Sequence, residues 1–406
     1  MKKEGIMKKE GIVFLLLSAI MFASCSSDSE FEPKPLALTR GESEIVKGST
    51  DYSVKVFSEL QKNPQLQDKN VVLSPLSLTY ALGMLSNGSA GNTRNEYEAL
   101  LAPPDGNLAD VNSIQLKLLK YLPVSDSKAT VSLSNSIWID DRFPVKQDFV
   151  TVNTEYYSAL AQNIDLHSDN SADIINKWVS NNTKGLIGSL FEEAPRQSMI
   201  IVNALYFNAP WKDKFKEKNT KKGDFVLESN QKIKVDYLYN PGCNCDYAAT
   251  EDFEAAGLDY GNSVFRMLVL LPNGNKELTS ESLADVRSKL RKSSLRLTIP
   301  KFKIENKLDL TESLVKSGLK DAFTADRNDY SLLSDNGINS INVRQVLTVN
   351  VNEGGTEAAA VTDIAIKGSS GEHIEFTADR PFYFVIEEKA TQTILFMGKI
   401  VRPEYN

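Results

Sequence analysis

The chain has 406 residues, 41% hydrophobic and 24% charged, with a formal net charge of −7 and a sequence pI of about 5.2. That is the composition of a soluble globular protein with a full core, built as one large domain or two ordinary ones. No basic excess exists to neutralise phosphates, which argues against nucleic acid as a partner.

Residues 1–24 read as an export signal rather than as fold. Lys8 and Lys9 precede the apolar run Ile12 to Leu17, and Phe22-Ala23-Ser24 leads into Cys25. The run is too short for a comfortable membrane span. The small residues before Cys25 resemble a bacterial lipobox, although Phe22 stands where Leu is usual. That implies cleavage before Cys25, lipidation of its thiol and attachment to the bacterial cell envelope, with no other membrane contact. The alternative is a plain secretory signal. The hexapeptide Met-Lys-Lys-Glu-Gly-Ile occurs at 1–6 and again at 7–12, so translation is expected to start at Met7. Removing residues 1–24, with four Lys and two Glu, takes the formal charge from −7 to −9. Residues 25–47, acidic, Ser-rich and then Pro-containing, read as a flexible tether.

A helix is expected to open near Asp51, with Tyr52, Val56 and Leu60 spaced by four. In the next segment Ser74 is placed as N-cap, Pro75 as the first helical residue and Gly88 as the stop. Apolar residues cover more than one stripe of that helix, so it should be deeply buried, with Ser74 and Ser77 as buried hydroxyls needing partners. Strands are predicted at 133–139, 199–207, 265–271 and 295–304, and helices at 149–163, 171–182 and 308–317. Without a regular βαβ alternation, this mixture favours an α+β fold with large, largely antiparallel sheets in a single domain over 48–406.

Cys243 and Cys245, one residue apart, are badly placed for an unstrained disulfide and read as free thiols in a turn. The only histidines are His167 and His373, so neither a metal site nor a cofactor is expected. No HExxH, GxSxG, Walker or GxGxxG motif occurs. A Ser-His-Asp enzyme would have to use His167 or His373.

The segment from Asn352 to Gly371 combines two patterns. Thr356, Ala358, Ala360, Thr362, Ile364 and Ile366 fall on one face by period two, and Glu357, Asp363 and Lys367 on the other, as in a half-buried strand. Gly354-Gly355 before it and Gly368-Ser369-Ser370-Gly371 after it are loop punctuation. A short helix capped by Thr356 is the competing reading, opposed by the β-branched Val361, Thr362, Ile364 and Ile366.

Together these residues resemble the serpins over essentially all of 48–406. The resemblance rests on Asn70 to Thr93, on Asn176-Lys177-Trp178-Val179 with Thr183, Gly185 and Ile187, and on Val202 to Phe207 with Trp211 and Phe215. It continues in Leu297 to Ile304, Gly318 to Phe323, Arg380-Pro381-Phe382 and Leu395 to Ile400. It implies the serpin fold: a large central sheet, further sheets, eight to nine helices and an exposed reactive-centre loop at about 353–376. It also implies a monomeric suicide inhibitor of serine proteases, and of cysteine proteases, that contributes no catalytic group of its own.

By that resemblance Glu353, Gly354, Gly355, Thr356, Glu357, Ala358, Ala359 and Ala360 form the hinge. Ser74, Ser77 and Asn203 match the family's shutter, with Gln345 in place of its usual histidine. Trp211, Lys301 and Glu353 match the breach, where Glu353 and Lys301 are a candidate ion pair. Gly354 and Asn350 stand where the family often has acidic residues. Counting seventeen residues from Glu353 puts the scissile bond at Ser369-Ser370; counting back from Phe376 puts it at Lys367-Gly368. Lys367 is preferred because one cation fills an acidic primary pocket, favouring trypsin-like or other Lys-directed targets. The competing function is a non-inhibitory serpin acting as a binding module. Residues 356–366, small or uncharged on one face, would span about 36 Å as a strand at ~3.3 Å per residue.

Overall fold

The structure is a computed structural model and describes residues 34–103, 106–338, 341–356 and 373–405. Thr39 opens the first helix, α1 (Arg40–Gln61), through a capping box with Glu42. The helix thus starts well before Asp51, and residues 40–47, read as tether, belong to it. The capping box is the local reason, since it satisfies amides at both ends of the first turn. Strand β1 (Val71–Leu73) leads into α2 (Pro75–Ser86), whose Ser74 hydroxyl accepts from the Ser77 amide at 3.1 Å. Then come α3 (Gly91–Leu101), α4 (Leu108–Tyr121), β2 (Thr130–Asp140) and α5 (Gln147–Tyr157).

Helix α5 is shorter than expected. Ser158 turns left-handed (φ 49°) and the chain continues as β3 (Leu160–Ile164), parallel to β2. Leu160 and Ile164 fit a helical period and a strand equally well, so periodicity alone could not separate them. Next are α6 (Ser171–Asn182), β4 (Met199–Pro210), β5 (Lys221–Val226), β6 (Lys232–Ala249), β7 (Phe253–Asp259), β8 (Phe265–Pro272) and α7 (Ser280–Lys289).

The single strand expected at 295–304 is two, β9 (Arg291–Pro300) and β10 (Phe302–Asp309), which belong to different sheets. Pro300 has no amide to offer a ladder, and the Lys301 amide donates to Asp236 as the chain changes sheet. The chain ends with α8 (Thr311–Ser317), β11 (Arg344–Val351), β12 (Gly355–Thr356), β13 (Ile374–Thr377), β14 (Phe382–Glu388) and β15 (Ile394–Ile400).

Among the described residues there are eight α-helices and two sheets, a mixed α+β architecture. One sheet has nine strands in the order β1-β15-β14-β8-β7-β6-β9-β13, with β5 on β6; the other has six, β10-β11-β12-β4-β2-β3. All pairings are antiparallel except β2–β3 and β9–β13. Helix α2 is buried nearly throughout and packs against β4 and β15. Leu205 and Phe207 of β4 join this main core, while Ile200 and Val202 face the other way, with Trp138, Ile175 and Val179 under α6. The six-stranded sheet therefore lies between α2 and α6.

Cys243 and Cys245 are not free thiols in a turn. Both lie buried in β6 and are paired as a disulfide. Between Asn240 and Cys243 the register of β6 against β9 shifts. Such a bulge bends the strand locally, and the two Cα atoms stand 5.5 Å apart, inside the usual range for a disulfide.

Candidate functional site at the head of the six-stranded sheet

Strand β11 does not lie directly against β4: among the described residues the two are joined only through β12. Thr356 pairs with Val351 on one side and Ala209 on the other, and Gly355 with Pro210. The reversal at 352–354 is held by the Asn352 side chain, whose Oδ1 accepts from the Gly354 amide at 2.8 Å. Gly355 sits at φ 150°, and a Cβ there would lie 2.1 Å from the Ala209 carbonyl oxygen. Only glycine passes. Thr356 is 3% exposed, its hydroxyl 2.6 Å from that of Tyr260.

Around this wedge the predicted breach residues meet. Trp211, 2% exposed, donates from Nε1 to the Asn352 carbonyl at 2.8 Å and from its amide to the Gly354 carbonyl at 2.9 Å. Its ring stacks on Tyr260 with centroids 4.3 Å apart. Lys301 Nζ lies 3.0 Å from Glu353, whose other oxygen accepts from the Thr220 hydroxyl at 2.7 Å. The Lys301 ammonium also stands 4.2 Å over the Tyr405 ring.

Burial opposes ionisation of Glu353, but the Thr220 hydroxyl, its own backbone and Lys301 together hold its carboxyl below the ordinary value of 4.5. A lowered folded value means that its contribution to stability is complete above pH 4.5 and is lost as the pH falls through the folded value. Glu353→Gln should therefore cost about 1.5–3 kcal/mol at neutral pH, the worth of hydrogen bonds to a charged group. The gap between variant and parent should close in acid. Urea unfolding of both at pH 7 and pH 3 checks this; an equal gap at both values would sink the assignment.

The four residues matched to the shutter separate into two sets. Gln345 spans to Ser74 with both ends of its carboxamide, Oε1 accepting from the Ser74 amide at 2.8 Å and Nε2 donating to the Ser74 carbonyl at 3.0 Å. One amide side chain thus serves a donor and an acceptor of the same residue, leaving the Ser74 hydroxyl free to cap Ser77. Asn203 bonds to none of these three. Its Nδ2 donates to Asn135 at 2.6 Å, and its Oδ1 is buried without a partner. It joins Ser77 and Gln345 only as lining of one cavity, of about 280 Å³, below β12 between the feet of β4 and β11.

Glu357, Ala358, Ala359 and Ala360 of the hinge, both candidate bonds (Lys367, Gly368, Ser369 and Ser370) and Cys25 lie outside the described residues. His167 sits exposed before α6, and His373 Nδ1 is 2.7 Å from the Ser294 hydroxyl on β9. Tyr260, Thr220, Asn135 and Tyr405 were missed from the sequence. Each reaches the site from a distant segment, and no local motif marks any of them.

A protein-family profile described as Serpin (serine protease inhibitor) matches residues 47–403. An uncharacterized serpin-like protein of Methanosarcina acetivorans is 29% identical, over 98% of this chain and 100% of the relative. Serine protease inhibitor 42Dd of Drosophila melanogaster is 30% identical, over 86% and 95% of the two chains. The crystal structure of tengpin, a thermophilic serpin, in the native state superposes with a TM-score of 0.81 at 26% identity, covering 92% of this chain and 98% of that one. Serpins generally act on proteases as inhibitors, not as catalysts. The chain belongs to the serpin family.

Proposed function

We propose that this chain is a suicide-substrate inhibitor of serine proteases, cleaved near Lys367-Gly368, in which residues 356–366 then enter the six-stranded sheet as a full strand. The observation that carries the reading is β12. Its two residues already occupy the head of the interval between β11 and β4. Continued in the same register, Ala358 meets Phe207 and Val349, Ala360 meets Leu205 and Leu347, and Ile366 meets Met199 at the start of β4. Small side chains thus come opposite large buried ones, and the insert ends where β4 begins. Thr362 comes between Asn203 and Gln345, and its hydroxyl offers the donor that the orphaned Asn203 Oδ1 lacks.

The chemistry balances without a catalytic group from the inhibitor. The protease serine attacks the loop carbonyl, the amine of the following residue leaves, and an acyl-enzyme ester remains. Insertion adds ladder bonds and packing on both sides of the new strand, so the ester is carried away from the geometry that hydrolyses it. Export, attachment through a lipid on Cys25 and a monomeric state complete the proposal. Cys25 follows an apolar run and small residues.

Incubation with trypsin, followed by a denaturing gel, tests it. A band of inhibitor plus protease is expected, and the released C-terminal peptide should begin at Gly368. Lys367→Ala should lower the trypsin association rate at least tenfold. Only cleaved chain, with no adduct across a panel of serine proteases, would leave the binding-module reading instead.

A further inference from the structure

The cavity at the foot of the interval, the space that the far end of an inserted strand would fill, is lined by groups that suit a small ligand as well. About 280 Å³ is preformed, nearly twice the ~150 Å³ of an engineered apolar cavity that binds benzene, and so room for about ten carbons. Ala81, Leu85, Phe143 and Ile341 supply apolar wall. Two arginines line it as well, Arg196 and Arg344; of the two acids in 356–366, Glu357 and Asp363, the register of β12 would bring Asp363 opposite Arg344. Neither guanidinium is well paired: Arg196 stands 3.6 Å from Asp169 and Arg344 3.9 Å from Asp309, with all four side chains at least half exposed. Arg196 is also held in the left-handed region at φ 52°, a conformation that costs a non-glycine residue free energy and marks a site worth explaining. Deeper in, Asn203 Oδ1 is buried and lacks a donor.

We propose that this cavity binds an apolar carboxylate of about ten carbons, of the medium-chain fatty-acid class. Its head group pairs with Arg196 and Arg344, and its chain lies along Ala81, Leu85 and Phe143. A hydroxyl on the chain gains a further bond at Asn203. A planar guanidinium suits a carboxylate through two parallel hydrogen bonds, and the rest of the ligand leaves water for apolar wall. Bound there, the ligand fills the space that Ile364 and Ile366 need in the inserted strand. It would divert the chain from trapping a protease to being cut by it. This regulatory step rests on the insertion reading; the binding does not.

Calorimetric titration of the full chain with decanoate, 10-hydroxydecanoate and decanol tests the site directly. Saturable binding of decanoate is expected, tighter for the hydroxy acid. Arg196→Ala with Arg344→Ala, both on exposed side chains, should weaken decanoate at least tenfold and leave decanol within threefold. Ala81→Phe should abolish binding of all three. The absence of saturable binding overturns the proposal, as does equal binding by parent and arginine variants. With decanoate saturating, the fraction of adduct with trypsin should fall several-fold in the parent and stay unchanged in the arginine variants. Should the unliganded chain trap no protease, the inhibitory reading fails, while the calorimetric result still decides the site.

Discussion

Arginine in place of Thr356 should convert the chain from an inhibitor into a substrate. Thr356 is 3% exposed, lies between Val351 and Ala209, and shares a hydrogen bond with Tyr260. On the insertion reading it is the first core-facing side chain of the strand. An ionised side chain left there without a partner costs several kcal/mol, and each 1.4 kcal/mol is a factor of ten. Thr356→Arg should therefore still be cut by trypsin at the same bond, while the yield of covalent adduct falls at least tenfold. Thr356→Ser keeps a hydroxyl for Tyr260 and should retain most of the yield. Densitometry of adduct against cleaved chain measures both, and full adduct from the arginine variant would show that trapping does not need position 356 buried in the sheet.

The second large effect lies far from the hinge. Glu387 on β14 has a side chain with no exposed surface, and it binds two arginines at once. Arg266 of β8 meets it at 2.7 Å, and Arg287 of α7 reaches its other oxygen. Both arginine side chains are only 11% exposed. Arg266 also lies 3.7 Å from Asp246, which Lys292 bridges towards Asp259. Removing one partner of such a buried set strands the others, and the cost is about 3–5 kcal/mol. Glu387→Ala should lower the unfolding free energy measured in urea by that amount, with Glu387→Gln intermediate because it keeps an acceptor. A change under about 1 kcal/mol for the alanine variant would mean that water reaches the arginines freely.

How much of this was readable in the sequence depended on the range of the interaction concerned. Local signals were legible: the Ser74-Pro75 start of α2, the bounds of α6 at Ser171 and Asn182, and strand β8. Where two local patterns coincide they misled, as at Leu160–Ile164, and where a chain crosses between sheets, as at Pro300-Lys301, apolar alternation on both sides concealed the break. The tether ran too long because Thr39 and Glu42 cap a helix whose first turns carry few apolar residues. At the site, Trp211, Lys301, Glu353 and Gln345 were singled out from resemblance. The bonds that tie them down come from Tyr260, Thr220 and Ser74, partners set by tertiary packing alone. The cysteines failed for a similar reason, since their place inside a strand paired with the distant β9 has no local signal.

Hydrogen exchange of the chain before and after cleavage at Lys367 tests the central claim most directly. Along the interval below β12, residues 199–208 of β4 and 344–350 of β11 have no strand between them among the described residues. Insertion in the register of Gly355 and Thr356 would pair those edges and bury 357–366 as a central strand. After cleavage, peptides covering 357–366 should slow by roughly a hundredfold or more, as amides of a core strand do, and those of 199–208 and 344–350 should slow with them. Unchanged exchange in all three segments, with the loop demonstrably cut, would contradict insertion.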